Sequence, residues 1–151
     1  MASVTHSLMN IKKAAVEFGD TPGTEYADAI TSAACVGTSN SVVWQPISGN
    51  DQTENETPQW VINLDFGQDL SAPTSLNAVL LTRFDEVTDV VIRPQGGVTG
   101  PSIEASVRVG LVSQVGGGRG TATATCALVV QGQPTIKAAD GTVIYPKPVT
   151  P

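Results

Sequence analysis

An extended segment in which every second residue is large and apolar can bury only one of its faces, and this chain holds three such segments. Trp60, Ile62, Leu64 and Phe66 alternate with Val61, Asn63 and Asp65. Ile103, Ala105, Val107, Val109 and Leu111 alternate with Glu104, Ser106, Arg108 and Gly110, and Ala122, Ala124, Cys126, Leu128 and Val130 repeat the pattern. Three half-buried strands make a sheet the organising element and the fold class mainly β. Each strand keeps one face for a core and leaves the other to solvent or to a neighbour.

A chain of 151 residues fits one domain with a core of its own. Only 15% of its residues are charged and 5% aromatic, a balance that suits short strands and turns better than a helical bundle. The signs are unevenly placed. Lys12 and Lys13 precede the strands and Lys137 and Lys147 follow them, while between Ala14 and Ile136 four arginines face thirteen carboxylates, a formal −9. Such a surface repels nucleic acid, and no basic stripe for phosphate contact is visible. The start, MASVTHSLMNIKK, has no continuous apolar run, and nowhere do 18 apolar residues follow one another. The expectation is a chain of cytosolic origin with no membrane partner.

Further strands are expected at Ala14 to Phe18, Tyr26 to Ile30, Ala33 to Val36, Val42 to Trp44 and Thr88 to Arg93. Leu76, Val79, Leu80 and Phe84 recur at spacings of three and four. This predicts one helix, entered at Pro73, capped by Thr74 or Ser71 and ending before Asp85 and Glu86. The expected core is Trp44, Trp60, Ile62, Leu64, Phe66, Leu76, Leu80, Phe84, Val107, Val109 and Leu128. Ser48 to Thr57, with Asp51, Glu54, Asn55 and Glu56, reads as a long acidic loop, and the glycines between Val112 and Gly120 as a hairpin connection. The domain reading is a flexible arm over 1–12, a body over 13–136, and a Pro-rich tail over 137–151 in which Val143 to Tyr145 can dock as an edge strand.

Nothing in the chain points to catalysis. His6, the sole histidine, lies outside the strand region, so a nucleophile has no base within reach. Cys35 and Cys126 lack CxxC spacing and a histidine neighbour, which argues against zinc, and whether they pair stays open. Asp51, Glu54 and Glu56 miss the calcium-loop spacing, and the Gly116 to Gly120 segment misses the phosphate-loop pattern. Neither catalytic, metal nor cofactor residues are expected, and no cofactor.

The chain resembles a known family through an ordered set of elements: Thr24-Glu25-Tyr26-Ala27-Asp28, Val43-Trp44, Pro58-Gln59-Trp60-Val61-Ile62-Asn63-Leu64, Phe66-Gly67-Gln68-Asp69, the Leu76 helix and Gln131-Gly132-Gln133-Pro134-Thr135. Together they look like the major tail tube proteins of long-tailed, siphovirus-type actinobacterial phages, over roughly Ala14 to Ile136. The resemblance implies an antiparallel β-sandwich or partial barrel with one flanking helix. It implies a structural virion protein that forms homohexameric rings stacked into a tail tube for genome ejection. Its partners would be copies of itself, tape measure and tail terminator proteins, with DNA passing unbound and assembly taking place in the host cytoplasm. On that reading a polar strand face drawn from Asn63, Asp65, Glu104, Ser106, Thr121, Thr123 and Thr125 lines the channel, and the loop with Asp51, Glu54, Asn55 and Glu56 stacks ring on ring. A capsid decoration protein, and a carbohydrate-binding or adhesin module, are the competing readings.

Overall fold

The computed structural model describes residues 3, 5, 8, 9, 11, 13–19, 24–96 and 99–146. The fold is mainly β. Strands β1 (Ala15–Phe18) and β2 (Thr24–Glu25) form a hairpin, and β3 (Ile30–Thr38), β4 (Ser41–Trp44), β5 (Gln52–Asn55) and β6 (Gln59–Gly67) follow. After helix α1 (Leu76–Thr82) come β7 (Val87–Arg93), β8 (Ser102–Val109), β9 (Thr123–Val130), β10 (Thr135–Lys137) and β11 (Val143–Tyr145).

Nine of these strands make one antiparallel sheet in the order β2-β1-β7-β8-β9-β6-β3, with β10 on β8 and β11 on β10. Strand β8 is where the sheet forks. One edge of it carries β7, from the Val87–Arg108 pair to the Ile92–Ile103 pair. The other edge is shared, with Ser102 to Glu104 paired to β10 and Val107 to Val109 paired to β9. Between them the Gln131 amide donates to the Ser106 carbonyl at 2.7 Å. The two wings therefore curl around a common interior without closing, and β2 and β3 remain as ends.

The alternation read from the sequence fills that interior. Ile62, Leu64 and Phe66 stand opposite Leu128, Cys126 and Ala124 in register, and all six are buried. Val16, Phe18, Val90, Ile92, Val107 and Val109 close the core from the other wing, with Leu76 and Leu80 of α1. Burying a side chain of this size contributes roughly 1.5–3 kcal/mol. Leu64→Ala, at the centre of β6, is expected to lower unfolding free energy by about 2–5 kcal/mol, measured by denaturant titration. One buried polar group opposes this. Asn77 of α1 is fully enclosed with neither amide atom bonded to protein, which costs about 1–3 kcal/mol.

Two expected core residues lie at the surface. Phe84 is 51% exposed because α1 ends at its cap, Arg83, so the spacing of four from Leu80 no longer follows a helix. The chain turns there through Asp85, whose φ is +66°, and the Asp85 amide donates to the Val109 carbonyl. Trp44 is 67% exposed because β4 lies in a separate two-stranded sheet away from the core. Trp60 is half-buried and packs against the core from its edge.

The remaining differences are local. The acidic loop expected over Ser48 to Thr57 contains β5, whose Gln52, Thr53, Glu54 and Asn55 carry no apolar alternation to mark them as a strand. Ser75, not Thr74 or Ser71, is the helix cap residue, and its hydroxyl turns back to the Asp69 and Ala72 carbonyls. The return expected at Tyr26 to Ile30 is made by β2, and Tyr26 to Ala29 form the turn into β3. The body boundary expected at 136 falls inside β10. His6, Lys147 and most of the 1–12 arm lie outside the described residues.

Candidate assembly surfaces

Strand β4 continues β3 and β5 leads into β6, so the two ladders form one long hairpin. Thr38 pairs with Gln59 at the end of the body, the Glu56 amide donates to the Asn40 carbonyl at 2.7 Å, and pairing resumes from Ser41–Asn55 to Trp44–Gln52. Ser39 and Ser41 hydroxyls bond the Glu56 carbonyl and the Asn55 side chain across the junction. The result is an arm running off the end of the sheet. Every residue of β4 and β5 is exposed, including Val42, Val43 and Trp44, and Ile47 at the tip is fully so. Asp51, Glu54 and Glu56 give this arm its charge, with no lysine or arginine between Ser41 and Thr57. An isolated two-stranded hairpin is marginal in water, and this one carries four large apolar side chains that the described residues leave uncovered.

The second feature is an open edge. Among the described residues strand β3 pairs only with β6, through eight of its nine residues, and it ends the sheet. Long unpaired edges invite another strand, and from Ser32 to Thr38 this one is interrupted by neither proline, charge nor bulge, the irregularity between Ile30 and Ser32 lying at its start.

The seven polar residues expected on one face separate. Asp65 stands between Thr125 of β9 and Ser32 of β3, Asn63 between Ala127 and Ala34, and Thr123 opposite Gly67. Asn63, Asp65, Thr123 and Thr125 therefore share the outer face of β9-β6-β3 with small and hydroxyl side chains. Glu104 and Ser106 sit elsewhere, on β8 between β7 and β10, paired across to Val91 and Asp89. There Glu17 accepts from Arg93 at 2.6 Å and Glu104 from Lys137 at 3.2 Å, around a shallow concavity of about 530 Å³. Thr121 lies in the connection between β8 and β9. The acidic wall expected from the sequence is thus divided: one face carries Asp65 as its one carboxylate among hydroxyls and the exposed Val36 and Val129, while the other carries Glu17 and Glu104, each paired with a cation, and Asp89.

The family-like motifs have structural jobs. The Gln68 side chain donates to the Gly116 and Thr123 carbonyls and accepts from the Gly116 amide at 2.8 Å, pinning the glycine-rich connection to the end of β6. Gln133 ties the other end. Its amide donates to the Pro58 carbonyl, and its oxygen accepts from Trp60 Nε1 and from the Tyr145 hydroxyl, so β11 is latched to the root of the arm. The Trp60 and Tyr145 rings meet at 5.2 Å. Gly37 lies under that indole, where a Cβ would come within 2.9 Å of the ring. Sequence pattern missed this latch because its three members are 73 and 12 residues apart.

No reactive cluster accompanies these surfaces. Among the described residues no group of three His, Cys, Asp or Glu could hold a metal ion, and no helix is long and apolar enough to cross a membrane. Cys35 and Cys126 are free thiols, and burial pushes that of Cys126 up to about 11. Asp69 is held below the ordinary carboxylate range by the Ser71 hydroxyl and amide, an Asx turn that shapes the approach to α1.

No protein-family model matches the chain, and no curated protein matches it by sequence. Solved structures do. The sheath/tube terminator of the PVC extracellular contractile injection system superposes with a TM-score of 0.70 at 13% identity, over 89% of this chain and 100% of that one. The tube-terminating cap of the anti-feeding prophage gives 0.67 at 14%, over 91% and 96%. The tail of an empty GTA particle, of C6 symmetry, gives 0.64 at 15%, over 87% and 100%. At these identities the likeness is one of fold.

Proposed function

We propose that the chain is a structural subunit of a phage-type tail, closing laterally into hexameric rings that stack into a hollow tube through which DNA passes. The observation that carries this reading is the long hairpin. Its body portion leaves the free edge of β3, suited to pairing with a neighbouring copy, and its distal portion is an apolar arm that the described residues leave exposed and a neighbouring copy would cover. The fold likeness to tube, terminator and C6-symmetric tail components supports the same reading. Within such a ring the outer face of β9-β6-β3 is the inner wall, since it is continuous with the β3 edge and nearly free of charge.

In the assembled tail the partners are further copies, a tape measure protein and a tail terminator, and the site of action is the virion tail. DNA meets hydroxyls, exposed valines and six copies of Asp65 per ring, with Arg108 at the β8 margin held by Asp85, a surface poor in the free cations that would hold phosphates. On this reading the chain acts as a wall.

A second reading, a cap that ends a tube, is favoured by the higher TM-scores of the terminator and cap structures. Negative-stain electron microscopy of the concentrated, purified chain separates the two. Hollow filaments of indefinite length are expected for the tube subunit. Single rings that never elongate would give the cap, and a persistent monomer or trimer would favour a capsid decoration protein and overturn both.

A further inference from the structure

We propose that the junction between arm and body is a hinge, and that Gln133 and Tyr145 are positioning residues that set the direction in which the arm leaves. The hinge belongs to the single chain, and its use in stacking rests on the tube reading above. The two ladders of the long hairpin are out of step by one residue. Asn40 stands against Glu56 and Thr38 against Gln59, so Ser39 alone faces both Thr57 and Pro58. Two residues against one make a β-bulge, which interrupts the ladder, bends the strand and increases its twist. Pro58 brings no amide to bridge the gap. Beyond it β4 and β5 pair only with each other among the described residues, so no ladder bond fixes the arm's angle to the body.

The side chains that grip the bulge come from elsewhere in the chain. The Gln133 amide donates to the Pro58 carbonyl at 2.8 Å, inside the bulge, and its oxygen accepts from the Trp60 indole at 3.1 Å and from the Tyr145 hydroxyl. Gln133 is itself anchored. The Gln131 amide bonds the Ser106 carbonyl, Pro134 is fully buried, and Thr135 opens the pairing of β10 with β8. On the other strand of the hairpin the indole lies across Gly37, its partner in register, where any side chain would lift it away. Both strands are therefore held on the body side of the bulge, one through Pro58 and Trp60 and the other under the ring. An arm fixed at one angle is preorganised, and a neighbouring copy meets it without the cost of ordering it.

The test is made on the dilute single chain, with nitroxides at Gln45→Cys on the arm and Thr125→Cys on β9 and with Cys35→Ser. Both label sites are exposed, and Cys126 is buried and stays protonated at neutral pH. Thr125 pairs with Asp65 and Trp44 with Gln52, so at about 3.3 Å per strand residue the labels stand roughly 40 Å apart, a span that pulsed dipolar EPR reads. One narrow distance distribution is expected. It should broaden about twofold or more in Gln133→Ala, once the bulge is free to flex, and by less in Tyr145→Phe, which keeps the ring and should leave the thermal midpoint unchanged. A role confined to docking β11 would lower the midpoint and leave the width alone, and that result overturns the proposal. A distribution already broad in the parent chain overturns it too. If Gln133→Ala does not fold, the width in Tyr145→Phe decides by the same criterion. Failure of the unaltered chain to form tubes would remove the tube reading and leave these distances to decide the hinge.

Discussion

A chain carrying Trp44→Asp and Ile47→Asp is expected to fold normally and to stop at rings. Both side chains are exposed in the single chain, so their replacement should shift its unfolding free energy by no more than about 0.5 kcal/mol each. Assembly is different. An aromatic anchor seated in an interface is worth roughly 2 kcal/mol or more, and a six-fold ring makes every such contact six times, so the loss per stacking step is on the order of 12 kcal/mol. Introducing a carboxylate adds the cost of desolvating it in an apolar seat. Lateral closure uses the β3 edge, which neither substitution touches. Thermal unfolding should therefore be unchanged while sedimentation and electron microscopy show rings without tubes. Long tubes from this variant would remove the arm from the stacking interface.

The strands that face the core were legible because burial imposes a period of two on them. Ile62, Leu64, Phe66, Val107, Val109 and Leu128 are all enclosed, and the alternation of β8 and β9 runs through the register of the sheet. Local pattern failed where its cause was not burial. Val42, Val43 and Trp44 are as apolar as a core strand, yet their β4 lies in an arm with no core beneath it. Residues 52–55 form a strand through the register of the hairpin alone, with every side chain polar and exposed. Phe84 kept the helical spacing past the point where Arg83 ends the helix. The expected polar face was misjudged for a topological reason. Alternation says that Asp65 and Glu104 both point away from the core, but only strand order shows that β6 neighbours β9 and β3 while the first half of β8 neighbours β7 and β10.

That separation makes the two carboxylates a matched pair for locating the channel. In the tube, Asp65→Lys reverses one charge per copy, a change of two units, and shifts the net charge of each six-copy ring by about +12 on the wall assigned to DNA. Sequence-independent attraction to phosphate then appears where none existed, and it weakens steeply with salt because counterions are released on binding. DNA passage should slow by about tenfold or more at 50 mM salt and recover toward 200 mM, followed as ejection rate from assembled particles or as retention of duplex DNA by purified tubes. Glu104→Lys is the control with the same formal change. It breaks the 3.2 Å pair with Lys137 and sets a lysine beside it on the outer wing, so a modest loss of stability is expected and DNA passage should be normal. The reverse outcome, slowing by Glu104→Lys alone, would turn the subunit inside out, and unaltered passage in both would place neither face against DNA. Asp65 is suited to the comparison because it makes no ion pair among the described residues, and Thr31 bonds only its backbone carbonyl, leaving the carboxylate free to be exchanged without disturbing the sheet.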